Sequence, residues 1–397
     1  MNDTHFPRPA LAAVFADELM GKTPLSDAPN GLFIAGERRT GKTDFMRLDL
    51  KPMLERRGLL VLYADLRDNI KANLPPLEVV QQVLHQAVQD NLGAVAKMAK
   101  SMGLDKIGVP GVFGIDLRSI GKTDGLSLYQ VFDVLQKATK KQIVFIIDEA
   151  QHALTSDDGD TLMWALKSAR DQMKTSTGGN LMLVMSGSHT DKLTLLLSSA
   201  RAPFWGSQVR AMPKLGDDFV DNYAALVKAN RPELSTLRNS EIVKAFEHFG
   251  RRPQFFITAV GHAAAQSHDA AGFEQALLAE SQKQAQADRA RFSDMFAALP
   301  ALEQAVLERL IVQGKAFRAF DANALAFYNE RLTTVDIKGK GKSKVTATQV
   351  QRAIDALREN EEELVWKSTR GEYSVYDQSL IAWHAYLVAE RAWPPKL

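Results

Sequence analysis

The 397-residue chain carries 49 Lys and Arg against 47 Asp and Glu, a formal net charge of +2, and no cysteine. The near-neutral balance excludes a protein that coats nucleic acid by bulk positive charge, while leaving a localised DNA-binding face open. The missing cysteines exclude disulfides, thiolate zinc sites, iron–sulfur clusters and cysteine nucleophiles. The length predicts two or three domains, and 45% hydrophobic with 24% charged residues is an ordinary globular composition. No apolar run approaches the ~20 residues of a transmembrane helix. Residues 1–10, with Asp3, His5, Arg8 and two prolines, lack the plan of a signal peptide. A soluble cytoplasmic protein with no membrane partner is the expectation.

In chain order, residues 10–21 predict a helix with Leu11, Val14, Phe15 and Leu19 on its apolar stripe. The apolar run 31–35, a loop at 36–40, a helical pattern from Lys42 to Arg57 and a second apolar run at 59–63 follow. Strand, loop, helix, strand is a βαβ unit, so a parallel sheet is expected. A long helix is predicted over 77–100, a glycine-rich hairpin or loop insertion over 109–125, and a helix over 126–139. Ile143–Ile147 reads as a third buried strand, 161–174 as a helix, and 181–185 and 208–212 as further strands. Beyond 215 the patterns are helical: 217–229, 239–249, 253–265 and 270–292. After Pro300 come helices at 301–313, 321–332 and 346–360, strands at 364–369 and 373–376, and a helix at 378–391. Three helices followed by a tight hairpin is the order of a winged helix-turn-helix. The expected domains are an α/β core at 1–215, a helical lid at 216–295 and a winged helix at 296–397.

Gly36-Glu-Arg38-Arg39-Thr40-Gly41-Lys42-Thr43 matches G-x-x-x-x-G-K-[ST]. Glycines let the backbone turn its N–H groups toward phosphates, and the helix that follows adds its N-terminal dipole. Lys42 then reaches the β- and γ-phosphates, the Thr43 hydroxyl ligates Mg²⁺, and Asp44 follows in the first helical turn. The strand before and helix after the loop are the context the motif requires. A second Gly-Lys-Thr, at 121–123, has Asp116 where the first glycine belongs, and reads as an exposed turn. Ile143–Ile147 delivers Asp148 and Glu149 at a strand end: Asp148 for the Mg²⁺ shell, Glu149 as general base for the attacking water. The strand at 181–185 ends in Ser186-Gly-Ser188-His189. Ser188 or Ser186 is the candidate γ-phosphate sensor, against a plain helix cap, and His189 reads as a surface or cap residue. In Gly250-Arg251-Arg252-Pro253, the arginines either pair bidentately with nucleotide phosphates or are solvated beside a helix cap.

On these motifs, residues 10–290 resemble the additional-strand P-loop ATPases, of which the AAA+ proteins are the best known. The arginine-rich loop, the glycine-rich insertion near 107–118 and Asp148-Glu-Ala-Gln151 look closest to the archaeal-type ATPases, a branch near the STAND signalling ATPases. Asp-Glu-Ala-Gln also looks like the DNA-dependent ATPases that assist transposition. The resemblance implies an α/β P-loop core, a helical lid and a C-terminal winged helix. It also implies ATP and Mg²⁺ as cofactors, and oligomers in which a neighbour supplies an arginine. Where the archaeal type carries aromatic-Gly-Arg, this chain has Trp205-Gly206-Ser207, with Arg201 and Arg210 nearby as substitutes. ATP is expected over GTP, since no Asn/Thr-Lys-x-Asp follows the sheet strands.

In the C-terminal region, Lys338, Lys340, Lys342 and Lys344 alternate with glycine and serine before the 346–360 helix, and Glu359 and 361–363 cluster after it. With that helix as the recognition helix, Gln349, Gln351 and Arg352 face a groove, and Lys367 and Arg370 lie on the wing. The opposing reading is a solvated loop on a protein-binding module. The expected function is an Mg²⁺-dependent ATPase that couples nucleotide state to DNA or protein binding. The rival readings are a STAND-type switch whose output is oligomerisation and a transposition-helper ATPase.

Overall fold

The computed structural model describes residues 5–24, 26–36, 39–67, 74–104, 126–176, 181–188, 190–197, 202–335, 344–360, 364–367, 373–375 and 379–395. The chain divides into two compact units, Met1–Lys214 and Leu215–Leu397. Among the described residues no helix is long and apolar enough to cross a membrane.

The first unit runs α1 (Pro9–Leu19), β1 (Leu32–Ala35), α2 (Lys42–Asp44), a π-helical turn (Phe45–Leu50), α3 (Lys51–Arg56) and β2 (Leu60–Asp65). It continues through α4 (Pro76–Asp90), α5 (Leu92–Ser101), α6 (Leu128–Thr139), β3 (Ile143–Asp148), a 3₁₀ turn (Ala150–Thr155) and α7 (Asp157–Ser176). It closes with β4 (Leu181–Gly187), α8 (Thr190–Thr194) and β5 (Val209–Ala211). The five strands form one parallel sheet in the order β2-β3-β4-β1-β5. Strand β4 is therefore the additional strand, inserted between the strand that precedes the glycine loop and the strand that carries Asp148.

β1, β3 and β4 are buried along their whole length, the pattern of strands covered on both faces. Leu32, Ile34, Val144, Ile146, Met182 and Val184 pack on one face against Phe15 and Leu19 of α1 and against Phe45, Leu50 and Leu54. Phe33 and Phe145 point the other way, onto Phe204 and Phe132. This double cover requires the continuous β-branched and aromatic runs that the sequence shows at 143–147.

Three elements depart from the sequence pattern. The helix expected from 42 to 57 widens into a π turn over Phe45–Leu50. Pro52, just beyond it, has no N–H for the Leu48 carbonyl and would clash with it in a regular helix, so the wider turn takes up the mismatch. The helix expected over 77–100 is two, broken at Asn91, whose side-chain amide donates to the Ala87 carbonyl at 2.8 Å. Helix α7 begins at Asp157, earlier than expected, because Ser156 caps the Gly159 N–H at 3.2 Å and three aspartates favour its positive end. The expected 109–125 insertion, with its Gly-Lys-Thr, lies outside the described residues.

The second unit begins with α9 (Asp217–Asn230), α10 (Asn239–His248), α11 (Pro253–Gln266) and α12 (Ala270–Ala298). Phe219, Tyr223, Phe246 and Phe256 stack as its first core, with ring centroids 4.8–6.1 Å apart. It continues with α13 (Ala301–Gln313), α14 (Ala322–Val335), α15 (Ala347–Glu359), the antiparallel pair β6 (Val365–Lys367) and β7 (Tyr373–Val375), and α16 (Ser379–Ala389). This is the winged-helix order. Helix α12 runs unbroken across the expected boundary at 295/296: Phe273 and Leu277 are buried near its start, while Phe292 and Phe296 join the core of α13–α16. Trp383 of α16 packs on both phenylalanines and donates to Ser293 at 3.2 Å.

Ile146 is fully buried at the centre of the sheet. Ile146→Ala should lower the stability of the first unit by about 2–5 kcal/mol, measured by urea unfolding.

Candidate functional site

The glycine loop joins β1 to α2. Gly41, at the N-cap of α2, has φ 81° and ψ 17°, a left-handed conformation that costs glycine little. A Cβ on Gly36 would stand 2.8 Å from Met212 Cβ, so the loop leaves the sheet through a gap that only glycine leaves open. Thr40 and Lys42 are buried, and Arg39 and Asp44 are exposed. Arg38 lies outside the described residues.

The register of the sheet sets the rest. Asp65 pairs with Asp148 between β2 and β3, and Ile147 pairs with Met185 between β3 and β4, so the ends of four strands meet around one point. Lys42 Nζ donates to Asp148 Oδ1 at 2.8 Å, to Glu149 Oε1 at 3.1 Å and to Ser186 Oγ at 3.3 Å. Thr43 Oγ1 donates to Asp148 Oδ2 at 2.7 Å, Tyr63 Oη to the same oxygen at 3.1 Å, and Ser186 Oγ to Asp148 Oδ1. Ser188 is buried, and its hydroxyl accepts from Gln151 Nε2 at 3.2 Å. The same amide donates to Glu149 Oε2. Glu149 itself sits at φ 53°, ψ 40°, a left-handed conformation that is strained for a side chain of its size.

The electrostatics follow from burial and pairing. Burial pulls the Lys42 pKa down, but Asp148 and Glu149 outweigh it and hold the ammonium above the ordinary lysine value. Burial pushes Asp148 up, but the Lys42 charge, with hydrogen bonds from Lys42, Ser186 and Thr43, brings it down to about 2. Glu149 is raised by burial, yet Lys42 carries it below the usual carboxylate range against the opposing charge of Asp148, with help from Gln151. The Tyr63 phenol is pushed up, by burial first and by Asp148 second. All four groups are held in fixed charge states: Lys42 positive, both carboxylates negative, Tyr63 neutral.

No family profile matches the sequence, and no curated protein matches it. Among solved structures, the ORC2 protein of Aeropyrum pernix in its ADP form superposes with a TM-score of 0.50 at 15% identity, covering 97% of this chain and 93% of that one. A Walker-type ATPase of Pyrococcus abyssi gives 0.49 at 15% identity, covering 93% and 94%. The chain has an AAA+ P-loop fold, with β4 as the additional strand. The sheet order is β2-β3-β4-β1-β5, and Asp148 is the last residue of β3.

Arg251 and Arg252 belong to the second unit and are engaged there. Arg251 donates to the Leu215 carbonyl at 3.0 Å, to Asp217 at 2.9 Å and to Glu247 at 3.2 Å. Arg252 donates to the Phe249 carbonyl at 2.8 Å and to Asp288 at 3.0 Å. Arg210 is paired with Glu18 and Asp27. His189 and Arg201 lie outside the described residues. Sequence reasoning assigned no role to Tyr63 or Gln151. Tyr63 reaches Asp148 only through the β2–β3 register, which no local pattern carries; Gln151 was signalled only by standing two residues after Glu149.

Asp148 yields a pH test. Its folded pKa of about 2 lies below the ~3.9 of an unfolded aspartate, so the native state binds fewer protons. The stabilisation is complete above about pH 4 and lost as pH falls through about 2, on the order of 2 kcal/mol. Acid unfolding followed by circular dichroism should show this loss in the wild type and not in Asp148→Asn.

Proposed function

We propose that the protein is an Mg²⁺-dependent ATPase that couples nucleotide state to the binding of duplex DNA or a protein partner. One observation carries this reading: Lys42 and Thr43 share hydrogen bonds with a buried Asp148 some hundred residues away, and Lys42 also bonds Glu149. A structural ion pair would need one carboxylate. Two carboxylates, a threonine hydroxyl and a serine-tipped strand around one lysine are the parts of a phosphoryl-transfer site.

In this reading Gly36, Arg38, Arg39, Thr40, Gly41 and Asp44 line the phosphate loop, and backbone N–H groups at the start of α2 meet the phosphates. Lys42 exchanges its carboxylate partners for β- and γ-phosphate oxygens, whose greater charge favours the exchange. Thr43 and Asp148 present a hydroxyl and a carboxylate, hard oxygen donors that fit Mg²⁺ with the nucleotide completing the shell. Bound there, Mg²⁺ supplies charge neutralisation of the phosphates. Glu149, relieved of Lys42, takes the proton of the attacking water as general base. Ser188 senses the γ-phosphate from the tip of β4. Arg251 and Arg252 are the lid's candidates for a phosphate contact, made by trading Asp217, Glu247 and Asp288 for the nucleotide.

The winged helix supports the DNA side of the reading through α15. Thr346 and Gln349 cap it reciprocally, Gln351 is spent on Asp355 at 2.9 Å, and Lys344 and Arg352 stay exposed. Lys338, Lys340, Lys342 and Arg370, the other proposed phosphate contacts, lie outside the described residues. A nucleotide-dependent homo-oligomer acting as a switch is the second reading. In that reading turnover is incidental, which accords with Arg210, the substitute for a trans-acting arginine, being held by Glu18 and Asp27 of its own chain. Light scattering with ATP, with ADP and without nucleotide separates the two.

Lys42→Ala should abolish ATP binding in equilibrium dialysis, while Glu149→Gln should retain binding and lose turnover. Undiminished hydrolysis by Glu149→Gln would overturn the base assignment. Duplex-DNA affinity should fall as salt rises, and Arg352→Ala should reduce the slope of log K against log salt by about 1.

A further inference from the structure

We propose that Gln151 is a positioning residue: its side-chain amide ties the carboxylate of Glu149 to the hydroxyl of Ser188 and so fixes the base relative to the tip of β4. The inference rests on the ATPase reading above and deepens it. Gln151 is 1% exposed and lies on the 3₁₀ turn that follows β3. Its amide nitrogen has two protons, and both are spent: one on Glu149 Oε2, one on Ser188 Oγ at 3.2 Å. The amide can hold both oxygens in only one orientation, because the reversed one would set Oε1 against a carboxylate.

Two further observations show that this orientation is built in. Among the described residues, Gln151 Oε1 is buried and accepts no hydrogen bond. An amide placed for its own satisfaction would use that acceptor, whereas this one is placed for its donors. Oε1 instead lies against Gly187, where a Cβ would stand 2.6 Å away; the other atoms near that position, Gln151 Cδ and Leu193 Cδ1, are at 3.5 Å. Gly187 therefore leaves the room that Gln151 needs to reach across to Ser188.

The need for such a tie is visible at Glu149. Its two oxygens have two different side-chain holders, Lys42 on Oε1 at 3.1 Å and Gln151 on Oε2. Once Lys42 turns to phosphate, Gln151 is the holder that remains. Glu149 extends from a left-handed backbone position between a strand and a turn, so without a second holder its side chain would sample several rotamers. A hydrogen bond that also reaches Ser188 transmits the position of the β4 tip to the base.

The test is steady-state ATP hydrolysis with separate kcat and KM, together with ATP binding by equilibrium dialysis, on the full chain. Gln151→Ala should lower kcat about tenfold or more, with KM and binding changed less than about twofold. Gly187→Ala, which keeps the amide and displaces it, should lower kcat in the same way. In a Glu149→Gln background, Gln151→Ala should cause no further fall in residual turnover. A wild-type kcat in Gln151→Ala, or an undiminished additional fall in the Glu149→Gln background, overturns the inference and leaves the ATPase reading standing. A wild-type protein that neither binds nor hydrolyses ATP overturns both.

Discussion

The ammonium of Lys42, buried between the carboxylates of Asp148 and Glu149, is the interaction on which the rest of the core depends. Two negative charges and one positive charge, all out of water, are tolerable only with every oxygen occupied. The structure meets this with donors from three more strands or loops: Thr43 after the glycine loop, Tyr63 on β2 and Ser186 on β4. Tyr63 and Ser186 are delivered by the register of a parallel sheet. A one-residue slip of any strand would turn its donor to the opposite face and leave a buried charge short of a partner. The sheet order and the site chemistry are therefore one constraint.

The same constraint accounts for where backbone strain and close approach occur. Gly41 takes the left-handed conformation that turns the chain from loop into α2, and Glu149 takes one at the end of β3, where Asp148 Oδ1 accepts from the Glu149 N–H at 3.0 Å. Gly36 and Gly187 leave gaps against Met212 and Gln151. Gly36 and Gly41 lie in the loop after β1, Glu149 directly follows β3, and Gly187 ends β4. Strain and tight packing at these positions hold the geometry of the site rather than letting it relax.

The second unit uses charge differently. Arg251 is paired at the surface with Asp217 and Glu247, and Arg238 with Glu274. Pairs of this kind contribute little to stability in water and exchange partners easily. Its rigidity comes instead from apolar burial, above all along α12. That helix shares one end with the aromatic cluster of Phe219, Phe246 and Phe256 and the other with Trp383 and the winged-helix core. This helix is continuous over 29 residues.

By itself, the sequence determined the local motifs. The glycine loop, Asp148 and Glu149, the serine-tipped strand and the winged-helix order were all legible, because each rests on local spacing or on a continuous apolar run. Most element ends were legible to within a few residues for the same reason, and the exceptions at Pro52, Asn91 and Ser156 arise from single side chains acting on the backbone. What the tertiary structure decided is non-local. That β4 lies between β1 and β3, that Tyr63 meets Asp148, that Gln151 spans Glu149 and Ser188, and that α12 runs through an expected boundary all depend on which strands pair and which faces pack. Sheet register and helix continuity are settled by the whole buried surface at once, and no stretch of residues carries that information alone.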